Sequence, residues 1–369
     1  MLHENADGMV ETASRNARRS VANASTERDT MSDGDHAATT PILKSNRGAG
    51  KRVAFRIVVR ISANLATLAI ISFLVFVVMS FKTPEDVARS VLGREVSHEQ
   101  LDAFIEKHQL NAPLVERYAV WAAGAVGGNF GESLLTGRPV SKEIRTRLSR
   151  TVLLAAIGGT LGVAMGVFIG VLQARRFGSK FDVAITGANL GVAAVPEFLV
   201  AMLLYLVFVI WLKWFPTQSG LAFSFGGLWD KALTLILPAA TVALLVMPHV
   251  ARLTRATTVE ALSAPCVDAA RLRGLDRRTV VWDYAFRNSA VPVVSAIGLA
   301  MTYAVSGLVT VEVVFGFPGI GSLLIQTLGS GDVLVSQGII LVFAVIIISI
   351  NLLVDIATFW LNPRIRFTE

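Results

Sequence analysis

Residues 260–292 read EALSAPCVDAARLRGLDRRTVVWDYAFRNSAVP and form a charged, helix-prone insert between two hydrophobic spans. Asp268, Ala269 and Ala270 are followed by Gly274, and a second charged helical stretch comes directly after that glycine. Small side chains let another surface approach closely, the Asp268 carboxylate can accept hydrogen bonds, and glycine permits the positive φ that ends a helix. The pattern predicts a docking surface for a partner protein. The alternative is an amphipathic helix that lies on anionic lipid.

The composition is that of a membrane protein. Of the 369 residues, 53% are hydrophobic and 17% charged, and the mean hydropathy is +0.59, which is more apolar than a soluble domain. The net charge of +7 fits cytoplasmic loops rich in Lys and Arg, so nucleic-acid binding is not predicted. The single cysteine, Cys266, excludes an intrachain disulfide, and no Cys/His cluster has metal-ligand spacing. Neither a metal nor another cofactor is predicted.

Apolar runs predict an all-α polytopic membrane protein with six transmembrane helices. The runs cover residues 53–80, 151–174, 183–212, 233–250, 291–311 and 335–361. Lys and Arg cluster before the first run and after the second, fourth and sixth. Because basic loops stay inside, both termini are predicted to be cytoplasmic.

The runs and the polar segments divide the chain into five parts. Residues 1–52 are polar and are predicted to be a disordered cytoplasmic tail. The first transmembrane helix is placed at 53–82, a small extracytoplasmic subdomain at 83–149, and the remaining five helices at 150–361. Residues 362–369 are the cytoplasmic C-terminus.

Two local patterns in the polar parts resemble binding sites without meeting their requirements. The stretch at 45–52 looks like a phosphate loop, but it lacks the first glycine and the Ser or Thr that binds magnesium. His98 and His108 lie ten residues apart in the subdomain and are expected to be solvated rather than metal ligands. Ser97 and Gln100 instead predict a capping box at the start of a helix.

Glycines recur at helical spacing in two of the spans. They are Gly158, Gly162, Gly166 and Gly170 in the second span, and Gly187 and Gly191 in the third. Residues four apart share one face of a helix, and a glycine face accepts another backbone at close range. Helix packing is therefore predicted at both stripes.

Glu197 follows Pro196 near the middle of the third span. A carboxylate at membrane depth is costly unless it faces a cavity or a partner, so two interpretations stay open: a packing residue, or a contact along a translocation pathway. Pro196 is expected to kink the span. Glu312 and Asp355 lie near opposite membrane faces and are expected to interact with headgroups, backbone or neighbouring helices.

Several longer stretches resemble a known family. They are GGNFGESLLTGRPV at 127–140, RLTRATTVEAL at 252–262, AARLRGLDRRTVVWDYAFRNSAVPVV at 269–294, VEVVFGFPGIGSLL at 311–324 and NLLVDIATFWLNPRIRF at 351–367. With D-A-A-x-x-x-G at 268–274, they resemble the B-type permeases of dipeptide, oligopeptide and nickel ABC importers. The resemblance extends from Ala54 to Phe367.

The resemblance implies a type I ABC importer permease in a bacterial inner membrane. The implied partners are a C-type permease, two ATPase subunits that hydrolyse ATP, and an extracytoplasmic substrate-binding protein, so the chain itself is not expected to be an enzyme. Coupling helices are implied at 257–288, with Asp268, Ala269, Ala270, Arg271 and Gly274 at the ATPase contact. The implied cargo is a peptide, and the alternative is nickel or another small solute.

Two other classes of function are weighed against this one. An ion-coupled secondary transporter needs ionisable groups at membrane depth, and only Glu197 qualifies. A membrane-embedded enzyme needs a nucleophile and a base, or paired carboxylates, and the sequence presents no such set.

Overall fold

The computed structural model describes residues 49–361, apart from residue 82 and residues 94–95, 218–219, 221–222 and 224–225. The first helix, α1, runs Ala49–Met79, and its apolar run covers Val59–Met79. Most of the tail predicted at 1–52 lies outside the described residues, and α1 takes up its last four positions. The C-terminus predicted at 362–369 also lies outside them.

Three short helices follow the first span. They are α2 (Pro84–Leu92), α3 (His98–Lys107) and α4 (Leu114–Val126). Ser97 caps α3 by accepting a hydrogen bond from Gln100 N at 3.3 Å. Helices α2 and α3 and two connecting segments form a small core made of Val87, Ala88, Leu101, Ile105, Leu110 and Leu134. The subdomain predicted at 83–149 contains this core, but residues 140–149 belong to the next long helix.

The two longest helices, α5 (Val140–Arg175) and α8 (Leu228–Ala261), pack along the first glycine stripe. A Cβ atom placed on any of the four glycines would lie between 2.6 and 2.9 Å from a carbonyl oxygen of α8. Any larger side chain would push the helices apart, because interiors are already close-packed. The glycines at these contacts are Gly158, Gly162, Gly166 and Gly170.

The second glycine stripe lies on α6 (Lys180–Ala194) and meets no neighbour among the residues that the structure describes. Cβ atoms on Gly187 and Gly191 would meet nothing within 4 Å. The packing predicted for these two glycines is therefore not made within this chain.

A sharp bend divides the third span. Helix α7 begins at Glu197, runs Glu197–Tyr205 and continues as a π-helical turn over Leu206–Trp211, at 97° to α6. Pro196 has no N–H to donate, and Val195 before it is extended, as the residue before proline prefers. The predicted kink is therefore a complete break in the helix.

The chain continues through α9 (Pro265–Leu272), α10 (Arg277–Val314, π-helical over Val280–Phe286), α11 (Ile320–Ser330) and α12 (Val333–Leu361). In the described part of the chain, five helices are long and apolar enough to cross a membrane, and the bent pair α6–α7 would make a sixth span. Side chains of α5, α7, α8 and α10 form the main core, which includes Leu154, Val242, Val246, Leu308, Phe315 and Phe317.

Candidate functional site

The insert folds as a short helix between two long ones. Helix α9 begins with Pro265, at the position where a missing N–H costs nothing. Gly274 has φ of +75°, which ends the helical turn. Asp276 then accepts hydrogen bonds from Arg278 N and Thr279 N at 3.0 and 3.2 Å and so starts α10. Hydrogen bonding by the Thr279 side chain and backbone lowers the pKa of Asp276 below its ordinary value, because these bonds favour the charged carboxylate.

One face of α9 is buried within the chain. Val267 and Ala270 are 0% and 1% exposed and pack against Val280 and Ala285 of α10. Ala270 is therefore closed to direct contact with a partner, and it fixes α9 against α10. Its small size is needed because α10 passes directly beneath it.

The opposite face of α9 is open to solvent. Asp268, Ala269 and Arg271 are exposed, and Arg271 Nη1 lies 3.1 Å from Asp268 Oδ1. Leu272 at the end of the helix is 89% exposed. Leu272 is not among the coupling residues predicted from the sequence, although an apolar residue between Arg271 and Arg273 is a signal that could have identified it. Three of the five predicted coupling residues, Asp268, Ala269 and Arg271, therefore lie on the exposed side, and Gly274 ends the helix beside them.

Polar contacts tie the insert and its flanking helices to the bundle. Arg277 Nη2 donates to the carbonyl oxygen of Arg175 at 2.5 Å, which links α10 to the end of α5. Arg255 of α8 donates to both carboxylate oxygens of Asp182 on α6, at 2.6 and 2.7 Å. Asp182 is 1% exposed and also accepts from Gly178 N at 3.0 Å. These contacts fix the insert to α5 and fix α8 to α6. A movement of the insert would therefore also move α5, α6 and α8.

Glu197 lies at the first position of α7, directly after the break. The N-terminus of a helix favours a carboxylate, because its free N–H groups carry partial positive charge. The Glu197 side chain packs against α10 at Gly307, where the glycine leaves room for it. A Cβ atom added to Gly307 would lie 3.0 Å from Glu197 Oε2. This contact supports the packing interpretation. The pathway interpretation stays a prediction.

Glu312 is the most completely buried carboxylate in the described spans, at 0% exposure. Its Oε2 accepts from Gly321 N at 2.7 Å and Ser322 N at 3.0 Å, and its Oε1 accepts from the hydroxyl of Thr151. A Cβ on Gly319 would collide with this carboxylate, which explains the glycine before α11. The expected contacts with backbone and a neighbouring helix are confirmed, whereas contact with headgroups is wrong because the group is sealed from the surface.

Two further acidic groups join distant parts of the chain. Asp332, 2% exposed, accepts a hydrogen bond from the Ser133 hydroxyl at 2.5 Å, which pins the segment at 127–140 to the start of α12. Asp355 of α12 pairs with Arg60 of α1 at 2.5 Å, as expected for a neighbouring helix. No group of three or more His, Cys, Asp or Glu side chains in the described part of the chain is placed to hold a metal ion.

Comparison with known proteins assigns the chain to a family. A sequence model described as the binding-protein-dependent transport system inner membrane component matches residues 166–367, and a model of the N-terminal part of such components matches residues 54–155. The chain belongs to this family. It is a permease subunit of an ABC importer and a multi-pass inner membrane protein.

Curated relatives of this permease match almost along their whole length. A probable peptide ABC transporter permease of Sinorhizobium fredii is 31% identical over 84% of this chain and 98% of its own. The oligopeptide permease AppB of Bacillus subtilis is 32% identical over 85% and 100%, and the glutathione permease GsiC of Escherichia coli K12 is 32% identical over 84% and 98%.

A solved structure supports the fold of the permease. The inward-facing MetNI methionine ABC transporter matches with a TM-score of 0.50 and 14% identity, over 59% of this chain and 96% of that one. The predicted type I importer fold is thereby confirmed. Membership in the family implies an ATPase and a substrate-binding protein as partners, and it gives the chain a transport role rather than an enzymatic one.

Proposed function

We propose that this permease forms half of the translocation pathway for peptides in a bacterial ATP-driven importer and receives the force of ATP hydrolysis through α9. A second, C-type permease would form the other half, two ATPase subunits would dock on the cytoplasmic side, and a substrate-binding protein would deliver cargo outside. The observation that carries the proposal is the two-sided environment of α9. Val267 and Ala270 bury one face of α9 within the chain, and the opposite face, which includes the exposed Leu272, is accessible to a partner.

The orientation in this proposal has both termini and α9 in the cytoplasm. Residues 252–288 contain seven Arg against four acidic residues, which is the charge bias of a cytoplasmic loop. The subdomain made of α2, α3 and α4 would then face outward, where the substrate-binding protein arrives.

The peptide cargo is proposed from the relatives, which are named as peptide, oligopeptide and glutathione permeases. Nickel or another small solute carried by the same mechanism is the second candidate. Uptake of a radiolabelled dipeptide by cells, with and without excess nickel complex as competitor, separates the two.

The coupling proposal is tested by co-purification of the tagged permease with its partners, followed by an ATPase assay. Ala269→Glu and Leu272→Asp change only the exposed face, and we expect both to lose the ATPase subunit. Leu228→Asp is the matched control, because Leu228 is also 89% exposed but lies at the far end of α8. Retention of the ATPase by both variants, with transport still coupled, would overturn the proposal.

The same strains test the ion-coupled alternative. That alternative predicts uptake that survives loss of the ATPase and fails in Glu197→Gln. Our proposal predicts the reverse: uptake stops without the ATPase, and Glu197→Gln retains ATP-dependent uptake unless the side chain also lines the pathway.

A further inference from the structure

A cavity of about 310 Å³ lies in the subdomain, beside the membrane-crossing helices. Its walls come from the end of α1, from α2 and α4, from the segment at 129–134, and from Val333 and Leu334 at the start of α12. At roughly 30 Å³ per water molecule, it has room for a small polar group and not only for solvent. The cavity thus lies beside the end of α1 and the start of α12.

A half-buried cation without an acidic partner lines this cavity. Arg117 Nη1 donates to the carbonyl oxygen of Leu110 at 3.2 Å, and the guanidinium lies 5.8 Å from the centroid of Phe76. Among the described residues no carboxylate lies within salt-bridge distance of Arg117. A guanidinium has five N–H donors, and Arg117 uses one of them in this hydrogen bond. The other donors can bind an oxyanion such as phosphate or carboxylate.

A second donor lies one helical turn away. Trp121 is 8% exposed, its ring centroid is 6.3 Å from that of Phe76, and it lines the same cavity. Its indole N–H is buried and has no acceptor among the described residues. Because a buried donor without a partner costs about 1–3 kcal/mol, a ligand acceptor that reaches this N–H after a small movement of the ring would be stabilised.

The remaining charge in the lining is negative. Glu116 lines the cavity from its solvent side, and the neighbouring hollow adds Asp102 and Glu106. His108 contributes no charge at neutral pH, because burial and the adjacent Lys107 lower its pKa. The lining thus carries a guanidinium and a carboxylate, Arg117 and Glu116, and charges of both signs complement a zwitterion with an oxyanion and an ammonium group.

The outer surface of α4 is apolar beside this charged pair. Val115, Val120 and Val126 are 69%, 71% and 93% exposed, and Val120 also lines the cavity. Exposed valines on a short helix beside the end of a span form an apolar surface that can contact acyl chains. We propose that this cavity binds the headgroup of a zwitterionic phospholipid, with phosphate at Arg117, an ester carbonyl at Trp121 and acyl chains along α4.

The site is tested with the delipidated permease complex, by titration with palmitoyl-oleoyl phosphatidylethanolamine and native mass spectrometry. We expect one lipid to bind more tightly than the rest. Its affinity should fall tenfold or more in Arg117→Gln and about fivefold in Trp121→Phe, since the latter loses one hydrogen bond. Trp121→Phe keeps an aromatic ring but removes the N–H, and its thermal unfolding is measured alongside to separate a lost hydrogen bond from a lost fold. Arg138→Gln, in the same subdomain but exposed, is the matched control and should bind like wild type.

Other probes identify the source of the zwitterion. Phosphatidylglycerol, which lacks the ammonium group, should bind several-fold more weakly than phosphatidylethanolamine to the wild type. Dialanine should not displace the lipid. Equal lipid binding by wild type, Arg117→Gln and Trp121→Phe would overturn the site, because only non-specific surface lipid would then be present. Displacement of the lipid by dialanine would overturn the assignment to phospholipid and indicate a free peptide.

Discussion

Thr151 links α5 to α10 and α11 through two hydrogen bonds of its hydroxyl group. It donates to Glu312 Oε1 at 2.5 Å and accepts from Ile320 N at 2.8 Å. Glu312 in turn accepts from the first N–H groups of α11, so a buried carboxylate caps that helix. The motif FGFPGIGSLL therefore has a structural reason: its glycines leave room for the carboxylate, and its N–H groups bind it.

Glu312→Gln is expected to destabilise the permease by about 1–3 kcal/mol, because the amide replaces an acceptor with a donor opposite Thr151 or α11. The measurement is denaturant or thermal unfolding of the purified chain. Glu106→Gln, on the exposed face of α3, should stay within about 0.5 kcal/mol of wild type. An unchanged unfolding midpoint in Glu312→Gln would show that the carboxylate cap contributes nothing.

Two glycines near α11 make a matched pair. A Cβ on Gly319 would lie 2.0 Å from Glu312 Oε1, whereas a Cβ on Gly329 would meet nothing within 4 Å. Gly319→Ala should therefore cost about 1–3 kcal/mol or more through overpacking. Gly329→Ala should be neutral or stabilise the helix by up to about 1 kcal/mol. Equal effects of the two substitutions would contradict the close approach at Gly319.

The ion pair between Asp182 and Arg255 is expected to behave differently from the exposed pair on α9. Asp182→Asn leaves the Arg255 guanidinium without its partner, and breaking a buried pair costs about 3–5 kcal/mol. Arg255→Lys should keep little of the stabilisation by this pair, because an ammonium group cannot reproduce the two parallel hydrogen bonds of the guanidinium.

Stability measurements on three variants check this expectation. Arg271→Gln breaks a pair whose side chains are 52% and 61% exposed, and it should change the free energy of unfolding by less than about 1 kcal/mol. A cost for Asp182→Asn no larger than that for Arg271→Gln would mean that the contact between α6 and α8 does not stabilise the fold.

Local pattern was enough to predict the spans and the first glycine stripe. The stripe from Gly158 to Gly170 has helical spacing. Close packing along it requires only one long neighbouring helix, which α8 provides. The same pattern on α6 meets no neighbour among the described residues, because spacing alone does not say whether the helix that covers Gly187 and Gly191 belongs to this chain, and packing there stays a prediction.

Contacts between distant parts of the chain could not be predicted. Thr151 and Glu312 are separated by 161 positions, and no local signal connects them. Likewise, the sequence of α9 offers small residues on both sides, and only the position of Val280 and Ala285 decides that Ala270 points inward while Ala269 stays exposed. The bend at Pro196 was predictable in place, but its size of 97° depends on how α7 packs on α10.

The most direct test of coupling through α9 uses the single cysteine of the chain, which is exposed on that helix. Benzophenone maleimide attached to Cys266 in the assembled importer and then irradiated should cross-link the permease to the ATPase subunit. Cys266→Ser, and Cys266→Ser with Glu106→Cys on the outer subdomain, should give no such product. Labelling of Cys266 in intact cells by a membrane-impermeant maleimide, with no cross-link to the ATPase, would contradict both the orientation and the coupling role of α9.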